Sequence, residues 1–373
     1  MARVDSFRTR AGQIFCACDI DGLPVDLESL PKDASIARMA LAFGASILAQ
    51  VLTLSVLPLT SASFFVPGGG SLPWPYIALL LGAALAGFPA SILLDRLGRQ
   101  SAFALGASLG LAGGILAAFA LVERLFPAFI IGLLWLGMAQ GFGLFYRHAG
   151  AMAGRAGGLV FGAGALGALI GPFIIEILSN YFGPLASASI LAASGLAHLI
   201  TLGLAIGLPG RQIQITLASH EIKRPPKEVL IKATFMGALA WLGMNGVMAH
   251  APLAMAGCGL TFSMSALAMA AHLSAMYWPG FTIGHFVMRF GSLPTALIGL
   301  TLLVGGGLSV HAQNTLIGFT ISMAIAGYGW GMATIGSTAA IHRAGHPSAF
   351  SLAAHDVILF LAALTGAALF GRF

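Results

Sequence analysis

The chain has 373 residues, 58% of them hydrophobic and only 8% charged, with a formal net charge of +6. A water-soluble domain carries roughly a quarter charged residues, so this composition excludes a soluble globule and makes lipid the solvent for much of the surface. Three cysteines exclude a disulfide scaffold, and basic residues scattered singly along the chain exclude a nucleic-acid surface.

Residues 1–35 are predicted to be a cytoplasmic tail. It holds Arg3, Arg8, Arg10 and Lys32 among several acids and lacks the apolar core of a cleavable signal peptide. Crossing about 30 Å of hydrocarbon takes about 20 apolar residues with every backbone polar group paired internally. Eleven stretches qualify: Ile36–Leu59, Pro75–Leu94, Ser101–Val122, Leu125–Tyr146, Gly157–Leu178, Pro184–Leu208, Val229–Pro252, Met264–Met288, Ser292–Val310, Thr315–Ala340 and Ser348–Phe370. With the N-terminus inside, alternate loops hold Arg96 and Arg99, Arg147 and Arg155, the basic run from Arg211 to Lys232, Arg289, and Arg343. Every Lys and Arg but Arg124 and Arg372 then falls inside, as the positive-inside rule expects.

The end of the second span repeats. Gly87-Phe88-Pro89-Ala90-Ser91-Ile92-Leu93-Leu94-Asp95-Arg96-Leu97-Gly98 matches Gly280-Phe281-Thr282-Ile283-Gly284-His285-Phe286-Val287-Met288-Arg289-Phe290-Gly291 at an offset of 193 residues. Parallel halves of this kind are a transporter architecture, with the solute held near the midplane between them. The expected organisation is an N-terminal six-helix bundle (36–208), a cytoplasmic linker (209–228) broken by Pro225-Pro226, and a C-terminal bundle (229–373). Asp95-Arg96-Leu97-Gly98-Arg99 resembles the loop signature of the major facilitator superfamily. The resemblance implies an all-α polytopic fold in two pseudo-symmetric bundles. It also implies a conformational latch of Asp95, Arg96, Arg99 and Arg289, weakened because Met288 stands where the repeat should have aspartate. At this offset the partner of the sixth span falls beyond Phe373, so eleven spans are expected and a twelfth is left open.

In the fourth span Gln140-Gly141-Phe142-Gly143 resembles that superfamily's proton-transfer motif, but Gly137 stands where its arginine should be. This argues against an ordinary proton-coupled drug or sugar carrier. In the fifth, Gly167-Ala168-Leu169-Ile170-Gly171-Pro172 resembles part of its antiporter motif, and equally reads as a small-residue packing face. Ionisable groups inside spans are rare and often functional; those here are Glu176 and His355-Asp356, the latter read either as a proton-coupling pair or as helix-to-helix hydrogen bonding. His198 and His285 read as packing histidines.

The seventh span carries Met244 and Met248, and the eighth His272 and Met276. Four-residue spacing sets each pair on one helix face, and both lie about 12 Å from the outer surface. Thioether and imidazole donors suit Cu(I) and suit Mg or Ca poorly; flexible methionine packing is the plain alternative. The paired motifs resemble those of the CcoA-type copper importers of the major facilitator superfamily. That resemblance implies a bacterial inner-membrane importer supplying copper to haem-copper oxidase assembly, with Met244, Met248, His272 and Met276 as the site. It implies copper as cargo with no organic cofactor, and a monomer in the bilayer. Cys16 and Cys18 would be an inner acceptor passing copper to a chaperone or exporter. His250, Met255, Cys258 and Met264 are candidates for an outer relay or plain loop residues. The competing expectations are a carrier of a small neutral or cationic organic solute and a non-transporting membrane assembly factor. An enzyme is not expected, since no segment sets a nucleophile beside a base or forms a Gly-rich phosphate loop.

Overall fold

The computed structural model describes residues 17–18, 24–25, 33–64, 74–151, 156–210 and 223–370. Ala17–Cys18 (β1) and Pro24–Val25 (β2) form a two-residue antiparallel ladder. Twelve helices follow among the described residues: α1 (Asp33–Phe64), α2 (Trp74–Val122), α3 (Phe126–Ala151), α4 (Ala156–Gly162), α5 (Gly164–Phe182), α6 (Ala186–Ile206), α7 (Lys227–Gly257), α8 (Phe262–Tyr277), α9 (Pro279–Phe290), α10 (Ser292–Val310), α11 (Leu316–Arg343) and α12 (Ala349–Phe370).

Eight helical stretches are long and apolar enough to cross a bilayer. Two of them, Trp74–Val122 with 49 residues and Gly157–Ile206 with 50, are each about 75 Å of helix, enough for two passes. The pair α8 and α9, joined at Trp278 where Pro279 opens the second helix, makes one more. The passes among the described residues thus number the eleven read from the sequence. Large apolar side chains such as Phe173, Ile231 and Leu308 stand outward on the bundle, as a lipid-facing surface requires. This is a multi-pass membrane protein.

The repeat is visible in the backbone. Gly98 (φ 82°, ψ 179°) and Gly291 (φ 85°, ψ 166°) hold the same conformation at equivalent points of the two halves. That region is open essentially to glycine alone, so each glycine turns the chain from one pass into the next.

Helices α1 to α6 pack with one another, and α7 to α12 do likewise; the seams between them include α2 against α12, α5 against α8, α4 against α9 and α3 against α11. Glycine allows close approach: a Cβ on Gly137 would lie 1.9 Å from the Leu79 carbonyl oxygen, and one on Gly331 would lie 2.1 Å from that of Met276. In lipid, where apolar burial does not drive helices together, such contacts carry much of the association. Arg38 bonds the Gly207 carbonyl, and Ser91 Oγ donates to the Ala349 carbonyl at 2.5 Å. The starts of α1 and α12 therefore lie at one end of the bundle with the end of α6 and the α2 turn. This end also carries Arg96, Arg99, Lys227, Lys232, Arg289 and Arg343 and is called the basic face below; the other is the neutral face.

Candidate functional site

A cavity lies midway through the bundle, between the two halves. From the N-terminal half it is lined by Gln50 and Leu54 of α1, Tyr76, Leu79 and Leu80 of α2, and Gln140 and Leu144 of α3. From the C-terminal half come Trp241, Met244, Asn245 and Met248 of α7, Met276 and Tyr277 of α8, and Trp330 of α11. Among the described residues no acid, lysine, arginine or histidine lines it. Its polar groups are amides and phenols, set among aromatic rings and thioethers. At about 30 Å³ it admits water and no organic solute.

Toward the neutral face a hydrogen bond joins the halves. Tyr76 donates its hydroxyl hydrogen to Asn245 Oδ1 at 2.5 Å across the two halves, and Asn245 is held in turn by Nδ2 donating to the Trp241 carbonyl at 2.8 Å. Toward the basic face the barrier is thick. Below Trp241 and Trp330, whose ring centroids are 5.3 Å apart, the aromatic packing continues through Tyr277, Phe161, Phe43 and Tyr146. Phe103 stacks on Tyr146 at 3.7 Å and 12°. Around this plug Gly158 meets Gly280 backbone to backbone, and Gly87 meets Val357.

Beneath the aromatics lies a buried polar cluster. Arg147 of α3 pairs with Asp356 of α12, and its Nε donates to Thr338 Oγ1 of α11 at 3.2 Å. His148 Nε2 lies 3.2 Å from the same Asp356 oxygen, and its Nδ1 lies 3.0 Å from His342 Nε2 of α11. His355 Nδ1 shares a hydrogen bond with Thr234 Oγ1 of α7 at 2.9 Å. Arg147, His148, His355 and Asp356 are all at most 4% exposed. This cluster closes the basic face with charge as well as bulk.

The sequence reading placed Arg147 and His148 in an inner loop. The structure corrects this: α3 runs five residues past the expected end at Tyr146, and the added turn buries both residues against the opposite half. Asp356 is correspondingly an inter-half ion-pair partner and not half of an isolated His-Asp pair. The arginine missing at Gly137 has a steric reason, since no side chain fits against Leu79 there.

The four expected copper ligands divide. Met244, Met248 and Met276 line the cavity. His272 is fully buried beside Gly327 of α11, and its Nδ1 lies 2.6 Å from the Met323 carbonyl oxygen, the geometry of a donated hydrogen bond. It does not line the cavity, and among the described residues no group of three or more His, Cys, Asp or Glu is set to hold a metal.

The other candidates fall as follows. Cys16 lies outside the described residues. Asp95, Arg96 and Arg289 are exposed on the basic face and Arg99 is half-buried, with Arg289 lying 5.5 Å over the Phe290 ring. Glu176 and His285 are exposed, and His198 packs on Gly110 with Nδ1 unpartnered. In the outer group, Met255 is buried in an apolar cluster with Phe319 and Met323, while Cys258 is exposed and the His250 and His311 rings lie tilted with centroids 4.5 Å apart.

The solved structures of the xylose transporter XylE are similar over nearly the whole chain. A partially occluded inward-open form from E. coli superposes with a TM-score of 0.71 at 14% identity, covering 91% of this chain and 92% of that one. The chain has the major facilitator fold. A form of the proton:xylose symporter bound to 6-bromo-6-deoxy-D-glucose gives a TM-score of 0.72 at 15% identity, covering 90% and 88%. The riboflavin transporter RfnT of Brucella anthropi is 28% identical over 294 residues, covering 75% of this chain and 74% of the relative. The uncharacterised MFS-type transporter YddS of Bacillus subtilis is 26% identical over 327 residues, covering 80% and 75%. No protein-family model matches.

Proposed function

We propose that this protein is a carrier for a small, uncharged organic solute bearing a flat ring system, moved through the central cavity by alternating access. The observation that carries the reading is the lining itself. Trp241, Trp330, Tyr76 and Tyr277 offer ring faces, and Gln50, Gln140 and Asn245 offer amide donors and acceptors, with no ionic group among them. Rings bind through offset and edge contacts worth about 0.5–1.5 kcal/mol beyond burial, and amides orient a polar rim. A sugar acid or nucleotide would leave its charge unpaired there. The likeness to a riboflavin transporter supports a flavin-like solute: flat, neutral and rich in hydrogen-bonding edges. By the positive-inside rule the basic face is cytoplasmic, so the aromatic packing closes the inner side and the Tyr76–Asn245 bond joins the halves on the outer. The test is uptake of labelled riboflavin and of other uncharged ring-bearing solutes into liposomes holding the purified protein. Saturable uptake that Trp330→Ala lowers fits. Uptake of none of them by a folded protein overturns the reading.

Copper is the second reading, favoured by one observation: three thioethers, Met244, Met248 and Met276, reach a single uncharged cavity. Soft donors without carboxylates suit Cu(I). On this reading His272 positions α8 through its bond to Met323 rather than ligating, and Cys16 and Cys18 would receive the ion inside. Cu(I) uptake into the same liposomes, with no uptake of any organic solute, would replace the first reading with this one.

A further inference from the structure

A second, smaller cavity adjoins the central one inside the N-terminal half. It holds about 10 Å³ among α1, α2, α3 and α6, where Ser46, Gln50, Thr53, Gln140 and His198 line it with two leucines. Gln50 and Gln140 line the central cavity too, so these two amides border both spaces. Ser46, Gln50 and Thr53 follow at steps of four and three residues, the spacing that sets all three on one face of α1. The Thr53 hydroxyl is already engaged, with the Ala49 carbonyl oxygen at 2.9 Å and with Ser194 Oγ at 2.8 Å. Gln140 Oε1 and His198 Nδ1 are not: both atoms are buried with no hydrogen-bond partner among the described residues. His198 is only 4% exposed, and its ring is seated against Gly110, where an added Cβ would come within 2.3 Å of it. Buried polar atoms are nearly always paired. Two unmet ones on the walls of one small cavity call for a partner held in the cavity itself.

We propose that this cavity is a subsite for a hydroxylated side arm of the solute, which makes the cargo an uncharged flat ring system bearing such an arm. This rests on the carrier reading and adds the arm to the ring. The chemistry of the free groups selects a hydroxyl. Gln140 Oε1 accepts a hydrogen bond, and a neutral imidazole has one donor nitrogen and one acceptor. A hydroxyl both donates and accepts, so it can meet either residue. Among the described residues no acid, lysine or arginine lines the space, and a carboxylate or ammonium group would be buried there unpaired. An apolar arm would leave Gln140 and His198 unmet. The size agrees, since a space of about 10 Å³ is roughly what one water-sized group needs. Water fits the same space. Continuity with the central cavity favours a solute arm over water: an arm extended from that cavity meets Gln50 and Gln140 first and His198 beyond them.

The test compares two flavins that differ in the arm alone. Riboflavin carries a hydroxylated chain on its ring system, and lumiflavin has a methyl group in its place. Binding of each to the purified full-length protein in detergent is read from the change in flavin fluorescence. The proteins compared are the wild type, Ser46→Ala, and His198→Phe, which keeps an aromatic ring and removes both nitrogens. The wild type is expected to bind riboflavin about tenfold more tightly than lumiflavin, as one or two buried hydrogen bonds imply. Each variant should lose about fivefold to tenfold in riboflavin affinity while lumiflavin stays within about twofold, because the variants remove partners of the arm and not of the ring. Equal affinity of the wild type for the two flavins overturns the subsite, and so do variants that weaken both flavins alike or neither. The cavity then holds water only, and the carrier reading stands. A wild type that binds neither flavin overturns the subsite and takes the flavin-like cargo with it. Should His198→Phe not fold, the wild-type preference and Ser46→Ala decide.

Discussion

The Tyr76 hydroxyl and the Asn245 side-chain oxygen, 2.5 Å apart, join the two halves on the neutral side of the cavity. Asn245 is only 5% exposed, so Tyr76→Phe leaves a buried acceptor unmet, a penalty of about 1–3 kcal/mol. Water relieves that penalty only when this side opens. The variant is therefore expected to open more readily toward the neutral face. A difference of about 1 kcal/mol changes such a population about fivefold. The rate at which a small thiol reagent modifies a Met248→Cys reporter, with the native cysteines replaced, measures it. An unchanged rate would mean that the aromatic packing, not this bond, holds the side shut.

Glycines in the same bundle are expected to respond in opposite ways to an added methyl group. Gly137→Ala drives a Cβ to within 1.9 Å of the Leu79 carbonyl oxygen, backbone that cannot swing aside, so α2 and α3 must separate. Overpacking of this kind costs about 1–3 kcal/mol or more. Gly203 and Gly284 meet nothing within 4 Å, and alanine there should be neutral or stabilise by up to about 1 kcal/mol through helix propensity. Thermal melting of the three purified variants in one detergent gives the comparison. Equal midpoints would show that the helix packing is looser than the close contacts indicate.

The span count and the repeat were legible in the sequence because each rests on local pattern: apolar length and a match at an offset of 193 residues. The polar cluster was not. A count of loop charges assigns every arginine near a span end to a loop, and span ends are the least certain feature of such a reading. Arg147 lies one residue past the predicted end, so it was read as a topology signal and its burial was missed. Four-residue spacing sets Met244 with Met248, and His272 with Met276, on one helix face each, but spacing does not say which neighbour a face meets. His272 and Met276 share a face of α8, yet one meets the α11 backbone at Met323 while the other borders the cavity. That difference comes from Gly327 and Gly331 drawing α11 close, a property of the partner helix.

The two turn glycines make a stability prediction about the halves themselves. Gly98 and Gly291 each sit where a side chain is strained by about 1–3 kcal/mol. Each alanine variant should lower the melting midpoint by a similar amount. The residues are in different halves with no shared partner, so the double variant should be close to additive. A double variant no worse than either single would show that one half unfolds first and sets the midpoint.

The cargo can be decided without a structure of the bound state, because sulfur can be removed while volume is kept. Leucine replaces methionine with little change in packing, usually less than about 1.5 kcal/mol, but offers a metal no lone pair. In the triple variant Met244→Leu, Met248→Leu and Met276→Leu, the cavity keeps its shape, its tryptophans and its amides. Were the cargo a flat organic solute, recognition would come from rings and amides, and uptake should stay within about fivefold of wild type, since apolar swaps of this size shift binding by about 1 kcal/mol or less. Were the cargo Cu(I), every cavity-lining soft donor would be gone and uptake should fall to background, because the remaining amides and phenols are hard donors. His272→Asn is the companion variant: its side-chain amide can still donate to the Met323 carbonyl but cannot replace imidazole as a ligand. Loss of copper uptake in that variant, with the protein stable in the membrane, would place His272 at the ion after all and require α8 to rotate in the loaded state.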